Sequence, residues 1–206
     1  MTKSTKLILF DLDGVLIDSE KNMKTAWQEV RKKFNIKVKF KNYRKYVGLP
    51  FYKVLKHLKI KDNFSEIKKT FDKSSIKNVN LIKLHPGAKS TILKLKKKKC
   101  KLGLVTSKDN YRTKIILRKL NLNFKYIVAL KPGMRGKPYP DQLKKAIRLF
   151  KFTKLNNVFY VGDTLIDQKF AKNAKVKYIH ADYGFEKKRV KCNTKIKKLI
   201  EILEII

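Results

Sequence analysis

The sequence predicts an α/β fold, a doubly wound and mostly parallel sheet of five core strands interrupted by an inserted all-helical segment. Three observations carry this. Five short runs of apolar, β-branched and aromatic residues are spaced along the chain, helical patterns alternate with the last four of them, and a stretch of about sixty residues after the first run contains helical patterns only.

The first run, Lys6 to Phe10, is apolar on both faces, as a central strand of a parallel sheet must be. From position 17 to 80 come helical patterns at Ser19 to Phe34, Phe51 to Leu58 and Phe64 to Ile76, too much chain for a loop. The segment reads as a second domain, 17–80, inserted in a core formed by 1–16 and 81–206. The core resumes with a helix over Gly87 to Lys99, whose closing lysine run suits the negative end of the helix dipole. Then follow a strand at Leu102 to Val105, a helix at Asn110 to Leu120, a strand at Tyr126 to Leu130 and a helix at Pro140 to Phe150. Pro140 sacrifices no needed donor at that helix start, and Asp141 favours its positive end. A strand at Val158 to Val161, a helix at Leu165 to Ala174 and a strand at Tyr178 to Ala181 continue the alternation, which implies right-handed crossovers. Thr194 to Ile206 closes the chain as an amphipathic helix packed on the core.

With 206 residues, 43% of them hydrophobic, the chain can bury a sizeable core, and disorder throughout is excluded. Its 53 basic residues against 16 acidic ones give +37, a charge that would ordinarily suggest nucleic acid or an anionic membrane. Only 7 of the basic residues are Arg, however, and the lysines are spread along the whole chain. A general composition bias is the simpler reading, although it does not account for the shortage of acids. Two cysteines, Cys100 and Cys192, suit a reducing compartment. No signal-peptide core and no membrane-length apolar run is present, so a cytoplasmic protein without a membrane partner is expected. His57, His85 and His180 have no metal-binding spacing and read as structural.

In so acid-poor a chain, Asp11 and Asp13 directly follow the first strand, while Asp163 and Asp167 directly follow the fourth. Open α/β sheets bind ligands beyond the carboxyl ends of their strands, where strand order reverses. If those two strands are neighbours, four carboxylates converge, which is costly without a cation and suited to a hard ion such as Mg2+. Asp18 and Asp141 read instead as turn and cap residues.

The segments Asp11-Leu12-Asp13-Gly14-Val15-Leu16, Thr106 at the end of its strand, Lys137-Pro138-Tyr139-Pro140-Asp141 and Gly162-Asp163-Thr164-Leu165-Ile166-Asp167 resemble, in order, the four motifs of the haloacid dehalogenase-like hydrolase superfamily. Asp18-Ser19, His85-Pro86-Gly87 and Ala181-Asp182-Tyr183-Gly184 extend the resemblance to its phosphoglycolate phosphatase-like branch, which has a Rossmann-like core and a helical cap. The resemblance implies that Asp11 is the nucleophile towards a phosphate monoester and that Asp13 protonates the leaving group and then activates water. It implies Mg2+ held by Asp11, the backbone carbonyl of Asp13 and Asp163, with Asp167 either completing the metal shell through water or orienting a lysine. Thr106 and Lys137 would bind the phosphate. Ser107 and Lys131 compete for those last two roles; position directly after the strand favours Thr106, and position just ahead of the helix start favours Lys137.

Tyr46, Gly48, Leu49 and Phe51, in the segment Tyr46 to Phe51 of the cap, are candidates to face the substrate, expected to be a small phosphorylated metabolite. A sugar-phosphate mutase of the β-phosphoglucomutase type would carry an Arg where Phe51 stands, and its fourth motif would differ. The strong positive charge leaves room for a nucleic-acid binding protein or a polynucleotide phosphatase, although specific nucleic-acid binding is not expected. Either a monomer or a homodimer fits. The family's usual glycine after Asn173-Ala174 is replaced by Lys175, which makes the geometry of that turn a point to examine.

Overall fold

The computed structural model describes residues 5–186 and 190–206. Strand β1 (Leu7–Phe10) leads to a two-residue strand β2 (Ile17–Asp18) and then to four helices, α1 (Glu20–Lys33), α2 (Phe40–Arg44), α3 (Phe51–His57) and α4 (Phe64–Lys77). Strand β3 (Lys83–Leu84) pairs antiparallel with β2, so the chain leaves for the helices and returns from them as one short ribbon. Alternation then sets in: α5 (Ala88–Lys97), β4 (Lys101–Asp109), α6 (Asn110–Lys119), β5 (Tyr126–Leu130), α7 (Asp141–Leu149), β6 (Val158–Gly162), α8 (Leu165–Asn173) and β7 (Lys177–Ala181). Strand β8 (Lys195–Ile196) and helix α9 (Ile202–Ile205) end the chain.

The sheet runs in the order β5-β4-β1-β6-β7-β8 and every pairing in it is parallel. Chain order reverses at β1, which lies between β4 and β6. Both faces of β1 are buried, as its sequence requires. Ile8 and Phe10 join a core made with α5, α6 and α9, and Leu7 and Leu9 join one made with α7 and α8. Helices α1–α4 bury a third apolar cluster of their own, centred on Trp27, Tyr43, Leu55 and Phe71. Among the described residues, no helix is long and apolar enough to cross a membrane.

Two expectations need correction. The closing segment is not one amphipathic helix. Lys195–Ile196 is a sixth strand of the main sheet, followed by a 3-10 turn at Leu199–Glu201 and only then by the single turn of α9. The exposed edge of β7 overrides local helical propensity here. The backbone N–H of His180 donates to the carbonyl of Thr194 and that of Asp182 to the carbonyl of Ile196, both at 2.9 Å, and Ile196, Leu199 and Ile202 are buried in the core. The stretch 17–80 also holds β2 and the short helix α2, neither long enough to show a period in the sequence.

Helix termination shows what a lysine- and asparagine-rich composition does to local structure. Among the described residues, α1, α3, α5, α6, α7 and α8 are each followed, two residues beyond the last helical one, by a left-handed residue: Asn35, Lys59, Lys99, Asn121, Lys151 and Lys175. In each case the next N–H closes the turn on a carbonyl five residues back, from Ile36 to Arg31 at the end of α1 to Val176 to Ala171 at the end of α8, over 2.9–3.1 Å. Glycine ordinarily takes this position because it alone adopts a positive φ without a Cβ clash. Lys175, at φ 57°, therefore keeps the turn that a glycine would make. Replacing Lys175 by Gly should relieve that strain and stabilise the protein by about 0.5–1 kcal/mol, read as a higher urea midpoint at unchanged slope. Lys175→Ala, which keeps a Cβ, should give no such gain.

Candidate active site

Each strand that meets at the reversal point ends in a functional group. Beyond β1 lie Asp11 and Asp13; beyond β6 lie Asp163, Thr164 and Asp167; Thr106 sits in β4 near its carboxyl end; and the loop from β5 to α7 brings in Lys137. The register aligns Phe10 with Val161 and the N–H of Asp11 donates to the carbonyl of Val161 at 2.9 Å, so the two acidic segments leave the sheet side by side. Asp11, Asp163 and Asp167 present carboxylate oxygens within 4.8 Å of one another.

Lys137 is fully buried, with Nζ 2.9 Å from Asp11 Oδ1 and 2.7 Å from Asp167 Oδ1. Burial alone would lower its pKa, but the two carboxylates more than reverse this and keep it charged. Lys131, its competitor in the sequence, is exposed. Asp167 is saturated. Oδ1 accepts from Lys137 and, at 3.1 Å, from the Tyr160 hydroxyl; Oδ2 accepts from the Thr164 hydroxyl at 2.7 Å and from the backbone N–H groups of Asp163 and Thr164 at 3.2 Å. Burial would raise its pKa, yet Lys137 and these donors hold it below the usual carboxylate value. With Thr164 it also forms the reciprocal cap that starts α8. Of the two sequence options for Asp167, this saturation favours orientation of the lysine.

Asp163 is the opposite case. Its Oδ2 accepts from the Phe185 N–H at 2.6 Å, while its buried Oδ1 has no hydrogen-bond partner. Burial, then Asp167 and Asp11, push its pKa well up. Gly14 and Gly184 pack so close to this carboxylate that a Cβ on either would fall within about 2.3 Å of it, so the approach is open only to backbone. Asp11 is likewise pushed up to about 7 by burial, partly offset by Lys137. Two buried oxygen-only ligands whose charge is disfavoured, one with an idle oxygen, fit a hard divalent cation.

Asp13 lies across the cleft, taking a hydrogen bond from the Ser19 hydroxyl at 2.5 Å and an ion pair from Lys108 at 3.2 Å. Thr106 Oγ1 accepts from the N–H of Lys108 at 3.2 Å, which leaves its proton to donate. The Ser107 hydroxyl instead donates to the carbonyl of Gly48 at 2.6 Å and so ties the core to the helical segment. One cavity, of about 580 Å3 with its mouth, is lined by Asp11, Asp13, Thr106 and Asp163 on the core side and by Gly48, Leu49 and Phe51 on the other. Tyr46 is not among its walls and stacks on His57, ring centroids 4.7 Å apart. His85 meets Tyr183 edge to face, burial pushes the His180 pKa down, and neither histidine lines the cavity. Asp18 Oδ1 accepts from the N–H of Glu20 at 3.0 Å at the start of α1, a turn role.

Three residues of this cavity escape the sequence reading: Lys108, Arg112 and Tyr43. Among so many lysines, Lys108 carried no signal. Arg112 could have been flagged, being one of few arginines and in the first turn of the helix that follows Thr106.

A family model described as haloacid dehalogenase-like hydrolase matches residues 8–181. The chain belongs to the haloacid dehalogenase-like hydrolases. Within this family it is 33% identical over 196 residues to the phosphoglycolate phosphatase of Aquifex aeolicus, covering 93% of this chain and 89% of the relative. It is 28% identical to a phosphorylated carbohydrates phosphatase of Thermotoga maritima, covering 84% and 83%. The crystal structure of a hydrolase from Pseudomonas syringae shares the fold with a TM-score of 0.87 at 22% identity, over 97% of both chains. The α/β architecture expected of a haloacid dehalogenase-like hydrolase is thus the one observed.

At the cavity's edge, Asp109 accepts from the backbone N–H of Arg112 at 2.9 Å, pairs with its Nε at 2.6 Å and lies 3.9 Å from Lys68 Nζ. Burial would raise its pKa, but Arg112 and Lys68 hold it at about 2, below the ordinary 3.8. A carboxylate depressed on folding stabilises above its unfolded pKa and loses that contribution as pH falls through its folded pKa. Asp109→Asn keeps the helix cap and removes the charge. It should cost about 1 kcal/mol near neutrality after allowing for solvent screening, and that cost, measured by urea unfolding, should shrink as pH is lowered from about 5 towards 2.

Proposed function

We propose that the chain is a Mg2+-dependent phosphatase that hydrolyses a small phosphate monoester in the cytoplasm through an aspartyl-phosphate on Asp11. The observation that carries this reading is the pair of ion pairs from buried Lys137 to Asp11 and Asp167. They fix one oxygen of Asp11 and leave Oδ2 to face the cavity. The relatives from Aquifex aeolicus and Thermotoga maritima, named as phosphatases, support the same substrate class.

In the proposed sequence Asp11 Oδ2 attacks phosphorus and the bond from phosphorus to the ester oxygen breaks. The Asp13 carboxyl gives its proton to that oxygen, and the alcohol departs. Asp13, now a carboxylate, takes a proton from water as the water attacks the acyl phosphate, releasing inorganic phosphate and restoring Asp11. Ser19 and Lys108 orient Asp13 throughout. Thr106 and Lys137 donate to the phosphoryl oxygens. Asp11, Asp163 and the backbone carbonyl of Asp13 would hold Mg2+, which supplies neutralisation between the Asp11 carboxylate and a dianionic phosphate. The helical segment 17–80 is read as a cap that shields the cavity from water, with Gly48, Leu49 and Phe51 towards the substrate.

Asp11→Asn should fold with unchanged circular dichroism and release phosphate from p-nitrophenyl phosphate at least about 10²-fold more slowly; retention of a tenth of the activity would remove Asp11 from its role. Asp163→Asn separates the metal site from the chemistry. Because the native carboxylate buries an unpartnered oxygen, the variant should be at least as stable as wild type in EDTA, yet gain no melting temperature from added Mg2+. Persistence of the Mg2+ shift in this variant would relocate the metal.

A further inference from the structure

Arg112 sits in the first turn of α6 and is 6% exposed. Its Nε is 2.6 Å from Asp109 Oδ2 and 3.1 Å from Asp72 Oδ1, and its guanidinium lies over Phe71, 5.5 Å from the ring centroid. Two carboxylates do not exhaust it. A guanidinium has five N–H donors, both contacts fall on Nε, and Nη1 is buried without a hydrogen-bond partner. A buried charged donor left in this state is costly, and Arg112 lines the same cavity as Asp11 and Asp13. Local charge does not forbid an incoming anion, since Lys68 and Arg112 balance Asp72 and Asp109 while Lys108 answers Asp13.

The wall beside Arg112 carries Tyr43. Burial pushes its phenol pKa well up, against the opposing pull of Arg112, so the hydroxyl remains a donor. Apolar Met23, Val54 and Phe71 complete that end of the cavity, where a low dielectric strengthens a charge-assisted bond. The phosphoryl group is committed to Asp11, Thr106 and Lys137 in the reading above, so Arg112 can meet only the leaving group.

We propose that Arg112, with Tyr43 beside it, is an anion clamp for the leaving group, and that the substrate is a compact phosphate monoester bearing a second anionic group, a carboxylate or a phosphate. This rests on the phosphatase reading of the same cavity. Sequence alone could not supply it, because it depends on which nitrogen of one arginine the fold leaves idle.

The test compares 2-phosphoglycolate, ethane-1,2-diol bisphosphate and ethyl phosphate, in which a carboxylate, a phosphate or a methyl occupies the same place. Wild-type kcat/KM should favour at least one of the first two over ethyl phosphate by about tenfold or more, and which of them wins identifies the anion. In Arg112→Met that ratio should collapse towards one, with Arg112→Lys intermediate. The same comparison by calorimetric Kd in the Asp11→Asn background reads the clamp without turnover: discrimination there, lost on adding Arg112→Met, supports it even if hydrolysis fails for every ester, a result that would sink only the phosphatase reading. No discrimination by wild type in either measurement overturns the clamp. So does an equal loss of both anionic and neutral ligands in Arg112→Lys and Arg112→Met, which would mark Arg112 as a structural link to Asp72. If Arg112→Met does not fold, the wild-type ratio and Arg112→Lys decide.

Discussion

The site depends on one interaction, the burial of the Lys137 ammonium between Asp11 and Asp167. Four aspartates approach one another at the ends of two adjacent strands, and bringing such charges out of water is opposed by desolvation and by their mutual repulsion. Lys137 offsets part of that cost for Asp11 and most of it for Asp167, whose remaining lone pairs are met by Tyr160, Thr164 and two backbone amides. Asp163 receives no such help on Oδ1. The carboxylates are therefore unequal: one closed by hydrogen bonds, one shared, one open.

That inequality follows from topology. Strand β1 stands where the winding of the sheet reverses, so the segments after β1 and β6 diverge from adjacent strand ends instead of folding back on a helix. The fully apolar strands supply the rigidity. Both faces of β1 are filled, and Tyr160, from the next strand, reaches from within the core to Asp167. The floor that fixes the acids is thus the same packing that stabilises the sheet.

Much of this was legible in the sequence, because the acids are so few and stand so regularly after apolar runs: Asp11, Asp13, Asp163 and Asp167 all meet at the cleft. Lys137 was legible only through the Pro140 helix start that follows it. The rest was hidden for physical reasons. Lys108 is one lysine among many, and only burial distinguishes it. Tyr43 sits on a helix of five residues, too short to show a period. Tyr46 lies three residues further on and turns away to stack on His57. Strand β8 exists because the edge of β7 accepts it, a tertiary effect that no local pattern in Thr194 to Ile206 announces.

The short ribbon of β2 and β3 carries a mechanical consequence. Beyond β2 the chain passes directly through Ser19 into α1, and the Ser19 hydroxyl is bonded to Asp13. Helix α1 in turn carries Trp27, at the centre of the apolar cluster that binds the four helices together. A displacement of that cluster as a body is therefore delivered, through a lever one helix long, to the carboxyl that handles the proton. The interior of the helical segment and the chemistry of the cleft are joined as a handle is to a latch, so repacking around Trp27 alters where a proton is held as well as how firmly the chain is folded.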